Sequence, residues 1–352
     1  MQKEDNTIYH IKGISKVFGE RYVLNDISFE IVKGEIFGII GTSGSGKSTL
    51  LNSLVGFLKV DIGDITFKNP DLLSVDEAGK FRSIYKHQKE LKKLYGFAAQ
   101  SPSFYPNLTV RENLRYFGNL YNILPETIES NIKYLLGLVS LTQSQHTISH
   151  KLSGGMKRRL DIACSLVHDP KILFLDEPTA DLDPVLASKI WNLLKIINQR
   201  GTTIVMATHH IAELEHVCSR VGIIKDGNMV ALGKADEIKS QSLPKERLVI
   251  SSSPGNYSKI TAALRRKLKK SIQQVQIRHK SLIIHKKTNV NIMNDVLGVF
   301  KHNNEKIITI ESVKPSLDEA FVIMNTESEE PKPKKKRKRK VKHKRKSKHK
   351  KK

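Results

Sequence analysis

Cysteine is almost absent: Cys164 and Cys218 are the two in 352 residues, about fifty positions apart and outside any CxxC or Cys/His spacing. That argues against a disulfide framework and a thiolate metal site, and both read as buried free thiols of a reducing compartment. Long apolar runs are missing too. Charges interrupt every apolar stretch before the roughly 18 residues a membrane helix needs, and the opening MQKEDNTIYH has no apolar segment of the signal-peptide kind. The expectation is a chain soluble by itself in the cytosol. Acids are scarce, 35 Asp+Glu against 60 Lys+Arg for a net charge of +25, which anticipates a partner or surface of negative sign. The imbalance is local, however. Residues 331–352 hold 16 Lys or Arg and no acid, so the other 44 bases face all 35 acids and the body carries only +9. At 39% hydrophobic residues that body can build a core, and about 330 residues suggests two folding units.

Short strands are expected at Ile8 to Gly13, Tyr22 to Ile31 and Glu35 to Ile40, from their apolar patterning and the turns between them. The third runs into a glycine-rich loop and then a helix from Lys47 to Leu58, with Leu50, Leu51, Leu54 and Val55 at helical spacing. A polar stretch from Asn69 to Lys93 comes next, with a charged helix near Glu77 to Leu94. Thr109 to about Val167 reads as largely helical, opened by the capping-box pattern Thr109-Val-Arg-Glu112. Lys171 to Leu175 and Thr202 to Ala207 are continuous apolar runs separated by a helix from Pro184 to Gln199, the signature of buried parallel strands with crossover helices. After Val221 to Lys225 and a composition shift at Gln241 to Pro244, the order strand, helix, strand, strand, helix, strand, helix suggests a small ferredoxin-like α+β module. The division expected is 5–240, with a helical subdomain at about 101–167, then 245–327, then a disordered basic tail at 328–352.

Gly41-Thr42-Ser43-Gly44-Ser45-Gly46-Lys47-Ser48 fits GxxxxGK(S/T) at every position between a strand and a helix. Glycines let backbone N–H groups converge on phosphate oxygens, and the helix N-terminus adds partial positive charge. Lys47 is expected at the β- and γ-phosphates and Ser48 on Mg²⁺, with Thr49 completing the loop. Asp176 and Glu177 end the run Ile172-Leu173-Phe174-Leu175 at the carboxyl edge of a strand, where open α/β sheets bind ligands. There Asp176 would hold Mg²⁺ through water and Glu177 would polarise an attacking water as general base. Leu152-Ser153-Gly154-Gly155-Met156 precedes another helix, and alone it would pass for a plain loop.

Phosphate loop, Gln100, LSGGM, LFLDEP, Ala180-Asp181-Leu182-Asp183 and His209 occur in an order and spacing that resemble the nucleotide-binding domains of ABC ATPases, over about residues 5–240. The resemblance implies a P-loop α/β core with a helical signature subdomain, ATP and Mg²⁺ as cofactors, and further site residues. By it, Phe18, 29 residues before Lys47, is the aromatic that stacks on adenine. Gln100 senses Mg²⁺ and contacts the membrane partner, Ser153, Gly154 and Gly155 touch the γ-phosphate of the opposite protomer, Asp183 belongs to the nucleotide set, and His209 contacts the γ-phosphate. Phe18 departs from the more usual tyrosine, with Tyr22 close by, and Met156-Lys157-Arg158-Arg159 replaces the glutamine-rich continuation of many relatives. The stretch from Leu152 to Pro184 and Pro315-Ser316-Leu317-Asp318-Glu319-Ala320-Phe321 are similar to the subgroup that powers multidrug and polysaccharide exporters.

The resemblance further implies a homodimer or paired homologous subunit, a separate membrane permease, and a place on the inner face of the cell membrane. A soluble, nucleic-acid-associated ABC ATPase of translation or repair type is the rival class; Lys47 and Ser153 stand only 106 positions apart, which leaves no room for the long coiled coil of the chromosome type. For the tail, self-repulsion predicts disorder, and a solubility role, an anionic bilayer and nucleic acid all remain open.

Overall fold

In the computed structural model, residues 6–68, 80–242, 246–269, 271–278, 281–286, 292–313 and 316–326 are described. The tail, residues 69–79 and the start of the charged helix expected at Glu77 lie outside them. β1 (Thr7–Phe18) and β2 (Arg21–Val32) form a long hairpin closed by Gly19 and Glu20. The first strand does not stop at Gly13: that residue sits at φ +57 inside a register shift, and the strand continues beyond it as a bulged strand. β3 (Ile36–Gly41) leads through the phosphate loop into α1 (Lys47–Leu54), shorter than the helix expected to Leu58 because the chain turns at Gly56, φ +76. β4 (Ile62–Phe67) and a two-residue β5 (Arg82–Ser83) extend the hairpin into a sheet ordered β2-β1-β4-β5. The charged helix is confined to α2 (Gln88–Leu94), which runs directly into β6 (Tyr95–Ala98).

The helical region comprises α3 (Val110–Leu120), α4 (Pro125–Leu138) and α5 (Gly154–Leu166). The capping box is formed as the sequence implies: Thr109 Oγ1 accepts from the Glu112 N–H at 3.2 Å, and a Glu112 carboxylate oxygen accepts from the Thr109 N–H at 2.8 Å. Next come β7 (Ile172–Asp176), α6 (Pro184–Gln199), β8 (Thr203–Thr208), α7 (Ile211–Leu214), β9 (Arg220–Lys225), β10 (Asn228–Gly233) and α8 (Ala235–Ser242). The central sheet is ordered β10-β9-β3-β8-β7-β6 and is parallel except for β10. Every residue of β3, β7 and β8 is buried, because helices and the hairpin sheet cover both faces. Both cysteines are free thiols as expected, Cys164 buried and Cys218 half-buried, which corrects the second of the two burial expectations.

The remaining elements are β11 (Glu246–Ser253), α9 (Tyr257–Lys267), β12 (Ile272–Arg278), β13 (Ser281–Lys286), α10 (Met293–His302), β14 (Lys306–Val313) and α11 (Leu317–Thr326). Their sheet is ordered β12-β13-β11-β14 with every pairing antiparallel, a split βαβ arrangement with a core of its own around Ile250, Ile260, Leu282 and Phe300. The last helix packs elsewhere. Leu317 and Ala320 of α11 join the apolar cluster of the central sheet, against Ile211, Leu214 and Ile238.

His168, two residues past α5, stacks on Tyr121 at 3.6 Å and donates from Nε2 to the Tyr95 carbonyl at 3.0 Å. Burial pushes its imidazole down to about 4. The unfolded chain then takes up a proton below its ordinary 6.5 that the folded chain refuses, so stability falls as pH drops from about 6.5 to about 4, by up to about 3 kcal/mol. Denaturant midpoints across that range should show the loss, and His168→Gln should flatten it.

Candidate nucleotide-binding site

β8 lies between β3 and β7, and the three are parallel. The segments leaving these strands therefore emerge at one edge of the sheet: the phosphate loop after β3, Asp176 and Glu177 at the end of β7, and His209 after β8. The register pairs Ile40 with Thr208 and Asp176 with Ala207, and the Glu177 N–H donates to the Ala207 carbonyl at 2.8 Å. Residues distant in sequence are thus fixed side by side by backbone pairing alone. At this edge lies a cavity of about 420 Å³ lined by Gly44, Lys47, Ser48, Gln100, Glu177 and His209, among others.

The loop is held by its glycines. A Cβ on Gly41 would stand 2.2 Å from Ser45 Oγ, and one on Gly46, at φ +109, would stand 2.6 Å from the Val23 carbonyl. Gly46 is also the N-cap of α1, with no side-chain cap and no acid in the first turn. The helix therefore turns uncapped amides toward the cavity, where an anion completes them. Lys47 is 7% exposed and donates to the Gly41 and Thr42 carbonyls at 2.9 and 3.1 Å, with Glu177 Oε1 at 3.8 Å. Burial pushes its ammonium below the ordinary range, opposed by the charges of Glu177 and Asp176.

Asp176 and Glu177 are both buried. Burial raises the Asp176 carboxyl, against a hydrogen bond from Ser48 that favours the anion, and its Oδ1 has no hydrogen-bond partner. Glu177 sits at φ +48, a left-handed conformation unusual for a glutamate. It turns the carboxylate toward His209, whose Nδ1 lies 3.0 Å and whose N–H lies 3.3 Å from Oε2. His209 leans on the His210 ring at 4.3 Å, and half of its side chain is exposed to the cavity mouth.

The residues suggested by resemblance divide into two sets. Gln100 lines the cavity. Ser153, Gly154 and Gly155 do not: Ser153 caps α5 by accepting from the Met156 N–H at 3.4 Å, and the position beside Gly154 is open. Asp183 is likewise outside the lining, its Oδ1 capping α6 by accepting from Val185 and Leu186 at 2.9 and 3.0 Å. Phe18 stands at the tip of the hairpin, 52% exposed, with the Lys16 ammonium over its ring at 5.4 Å. Val23 lines the cavity although nothing in the sequence singled it out.

Sequence reasoning also passed over Arg158. Its buried guanidinium donates to the carbonyls of Pro178 (Nε, 3.0 Å), Ala99 (Nη1, 2.6 Å) and Asp176 (Nη2, 2.8 Å) and meets Asp161 Oδ2 at 3.4 Å. One side chain of α5 thus ties the signature helix to the residue before Gln100 and to both sides of Glu177. Asp161, pushed up by burial, is steadied by the Ser103 N–H and hydroxyl at 2.9 and 2.7 Å. An arginine within a charged tripeptide reads as solvated, and only burial separates it from its neighbours.

A phosphate loop between a parallel strand and a helix, with an acid pair at the end of a strand two places across the sheet, defines a P-loop nucleoside triphosphatase. The chain matches the ABC transporter family model over residues 24–180. It is 36% identical over 233 residues to the Nod factor export ATP-binding protein I of Bradyrhizobium diazoefficiens, covering 66% of this chain and 72% of that protein. It is 34% identical over 230 residues to a linearmycin resistance ATP-binding protein of Bacillus subtilis, covering 65% and 70%. The structure superposes on cbiO1 of Clostridium perfringens, described as part of an ABC transporter complex, with a TM-score of 0.60 and 27% identity over 75% of this chain and 97% of that one. A dimeric ATP-binding cassette in a post-hydrolysis state with ADP and phosphate gives 0.56 and 29%, over 64% and 98%. The chain belongs to the ABC transporter family and is one of its ATP-binding, ATP-hydrolysing subunits. None of its described helices is long and apolar enough to cross a membrane.

Proposed function

We propose that this chain powers export through a separate membrane permease, as one of two ATPase subunits, identical or homologous, that clamp ATP between them on the inner face of the membrane. The observation carrying this reading is the division of the site: phosphate loop, Gln100, Glu177 and His209 share one cavity, while Ser153, Gly154 and Gly155 stay outside it with Gly154 uncovered. A second copy supplying that segment completes the site, and ATP bridging the two stabilises the closed dimer by differential binding. Export is supported by the names of the relatives, which concern Nod factor export and linearmycin resistance.

In this reading the α1 amides and Lys47 hold the β- and γ-phosphates, Phe18 stacks on adenine, His209 contacts the γ-phosphate, and Glu177 draws a proton from the attacking water. The unpartnered Asp176 Oδ1 beside Ser48 fits Mg²⁺, which takes oxygen ligands from one or two side chains and completes its shell with phosphate and water. Gln100, which lines the same cavity, would offer a third oxygen. Mg²⁺, when bound, would neutralise charge on the phosphates. For residues 331–352, 16 Lys or Arg without an acid support a solubility role or attraction to an anionic surface, bilayer lipid or nucleic acid.

Purification of the tagged chain from membranes tests the function. A polytopic membrane protein is expected to copurify and to stimulate ATP hydrolysis when both are reconstituted. Hydrolysis stimulated by RNA instead, with no membrane protein recovered, would transfer the chain to the nucleic-acid-associated class.

A further inference from the structure

His209 directly follows the parallel strand β8 and is separated by His210 alone from α7, a helix of four residues. So short a helix has almost no stability of its own, and its position is set by what holds it. Ile211 and Leu214 are buried in the same apolar cluster as Leu317 and Ala320 of α11, the helix that α7 contacts. Glu213 accepts from the Trp191 indole N–H of α6. Glu215, which caps the end of α7, makes two bonds to distant elements: one oxygen accepts from Lys239 Nζ of α8 at 2.6 Å, the other from the backbone N–H of Leu317, the first residue of α11, at 3.1 Å.

The connectivity gives those bonds a second meaning. The small sheet, residues 246–313, lies in sequence between α8 and α11, and these two helices pack on each other and on the ATPase core. The far end of α11 is held by Lys225 Nζ, which donates to the Met324 carbonyl at 2.9 Å, and its first turn reaches the small sheet through the ion pair of Glu319 with Arg247. Both stems of the small module are therefore joined by one carboxylate to the segment that carries His209.

We infer that Glu215 is a positioning residue for His209, locking α7 onto the α8–α11 pair through which the small α/β module is attached. The inference rests on the reading of His209 as a γ-phosphate contact. Release of Glu215 leaves Lys47, Ser48 and the α1 amides untouched, so binding of ATP persists. What loosens is the 3.0 Å approach of His209 to Glu177.

The test is steady-state ATP hydrolysis by the full chain carrying Glu215→Ala, Glu215→Gln or His209→Ala, with Trp191 emission read alongside. In Glu215→Ala, loss of a charge-assisted pair is expected to lower kcat about tenfold with KM for ATP within about twofold, and Trp191 emission should shift as Glu213 moves. Glu215→Gln keeps one acceptor oxygen and should recover part of kcat. If Glu215→Ala does not fold, Lys239→Met, which keeps the Leu317 bond but removes the ion pairs to both Glu215 and Asp236, carries the test with an expected loss of about threefold, Asp236→Asn beside it being expected to leave kcat within about twofold of the parent. A folded Glu215→Ala whose kcat stays within twofold of the parent, while His209→Ala is inactive, overturns the lock. Normal turnover by His209→Ala overturns the histidine's role itself, and with it the consequence drawn for Glu215.

Discussion

Glu177→Gln is expected to lower the rate of ATP hydrolysis by about 10² to 10⁴-fold, the usual contribution of a positioned general base, while leaving nucleotide affinity nearly intact. The substitution is close to isosteric and the residue is held by its backbone: the bond from the Glu177 N–H to the Ala207 carbonyl and the left-handed φ of +48 do not depend on the side chain's charge. Lys47 keeps its bonds to the Gly41 and Thr42 carbonyls. What disappears is the ability to take a proton from water. Because ATP is what bridges the proposed dimer, a variant that binds ATP without hydrolysing it should accumulate a closed dimer that the parent forms only transiently. Size-exclusion chromatography with ATP, alongside phosphate release, checks both halves. Turnover at the parent's rate would remove Glu177 as the base.

Arg158→Ala should destabilise the fold by about 3–5 kcal/mol, the cost of breaking one side of a buried ionic network. Its removal strands the Ala99, Asp176 and Pro178 carbonyls and leaves the Asp161 carboxylate buried with its Ser103 bonds alone. Lysine is a poor replacement, because a single ammonium does not reach three carbonyls that diverge around a planar fork. Denaturant unfolding followed at Trp191, the one tryptophan of the sequence, reports on this part of the chain. A loss below about 1 kcal/mol, the value of an exposed pair, would mean the network carries no such weight. Activity in the folded fraction should fall as well, since the same guanidinium fixes the chain on both sides of Glu177.

Much of this molecule is legible along the chain. The motif Gly41 to Ser48 needs only its immediate neighbours, a strand before and a helix after, and the uninterrupted apolar runs ending at Asp176 and Thr208 announce parallel strands buried on both faces. The capping box at Thr109 and Glu112 is equally local. Where sequence patterning misplaces an element, the cause is tertiary. β1 passes through Gly13 because its pairing partners hold a bulge there, and the charged helix is cut short because Arg82 and Ser83 pair with β4 instead.

Arg158 and Glu215 mark the remainder. Each looks like one charge among several, and each acquires its role only when elements far apart in sequence close around it: α5 against the end of β7, α7 against a helix about a hundred residues later. The sequence by itself determined that a triphosphate is bound and which loop binds it, because backbone amides and a lysine at fixed spacing carry that chemistry wherever they fold. Only the tertiary structure decided that Glu177 and His209 touch and that the signature glycines lie outside their own chain's cavity. The reach of the small module's stems back to Glu215, six residues after the histidine, is decided there too, since strand order and helix packing depend on contacts no local spacing encodes.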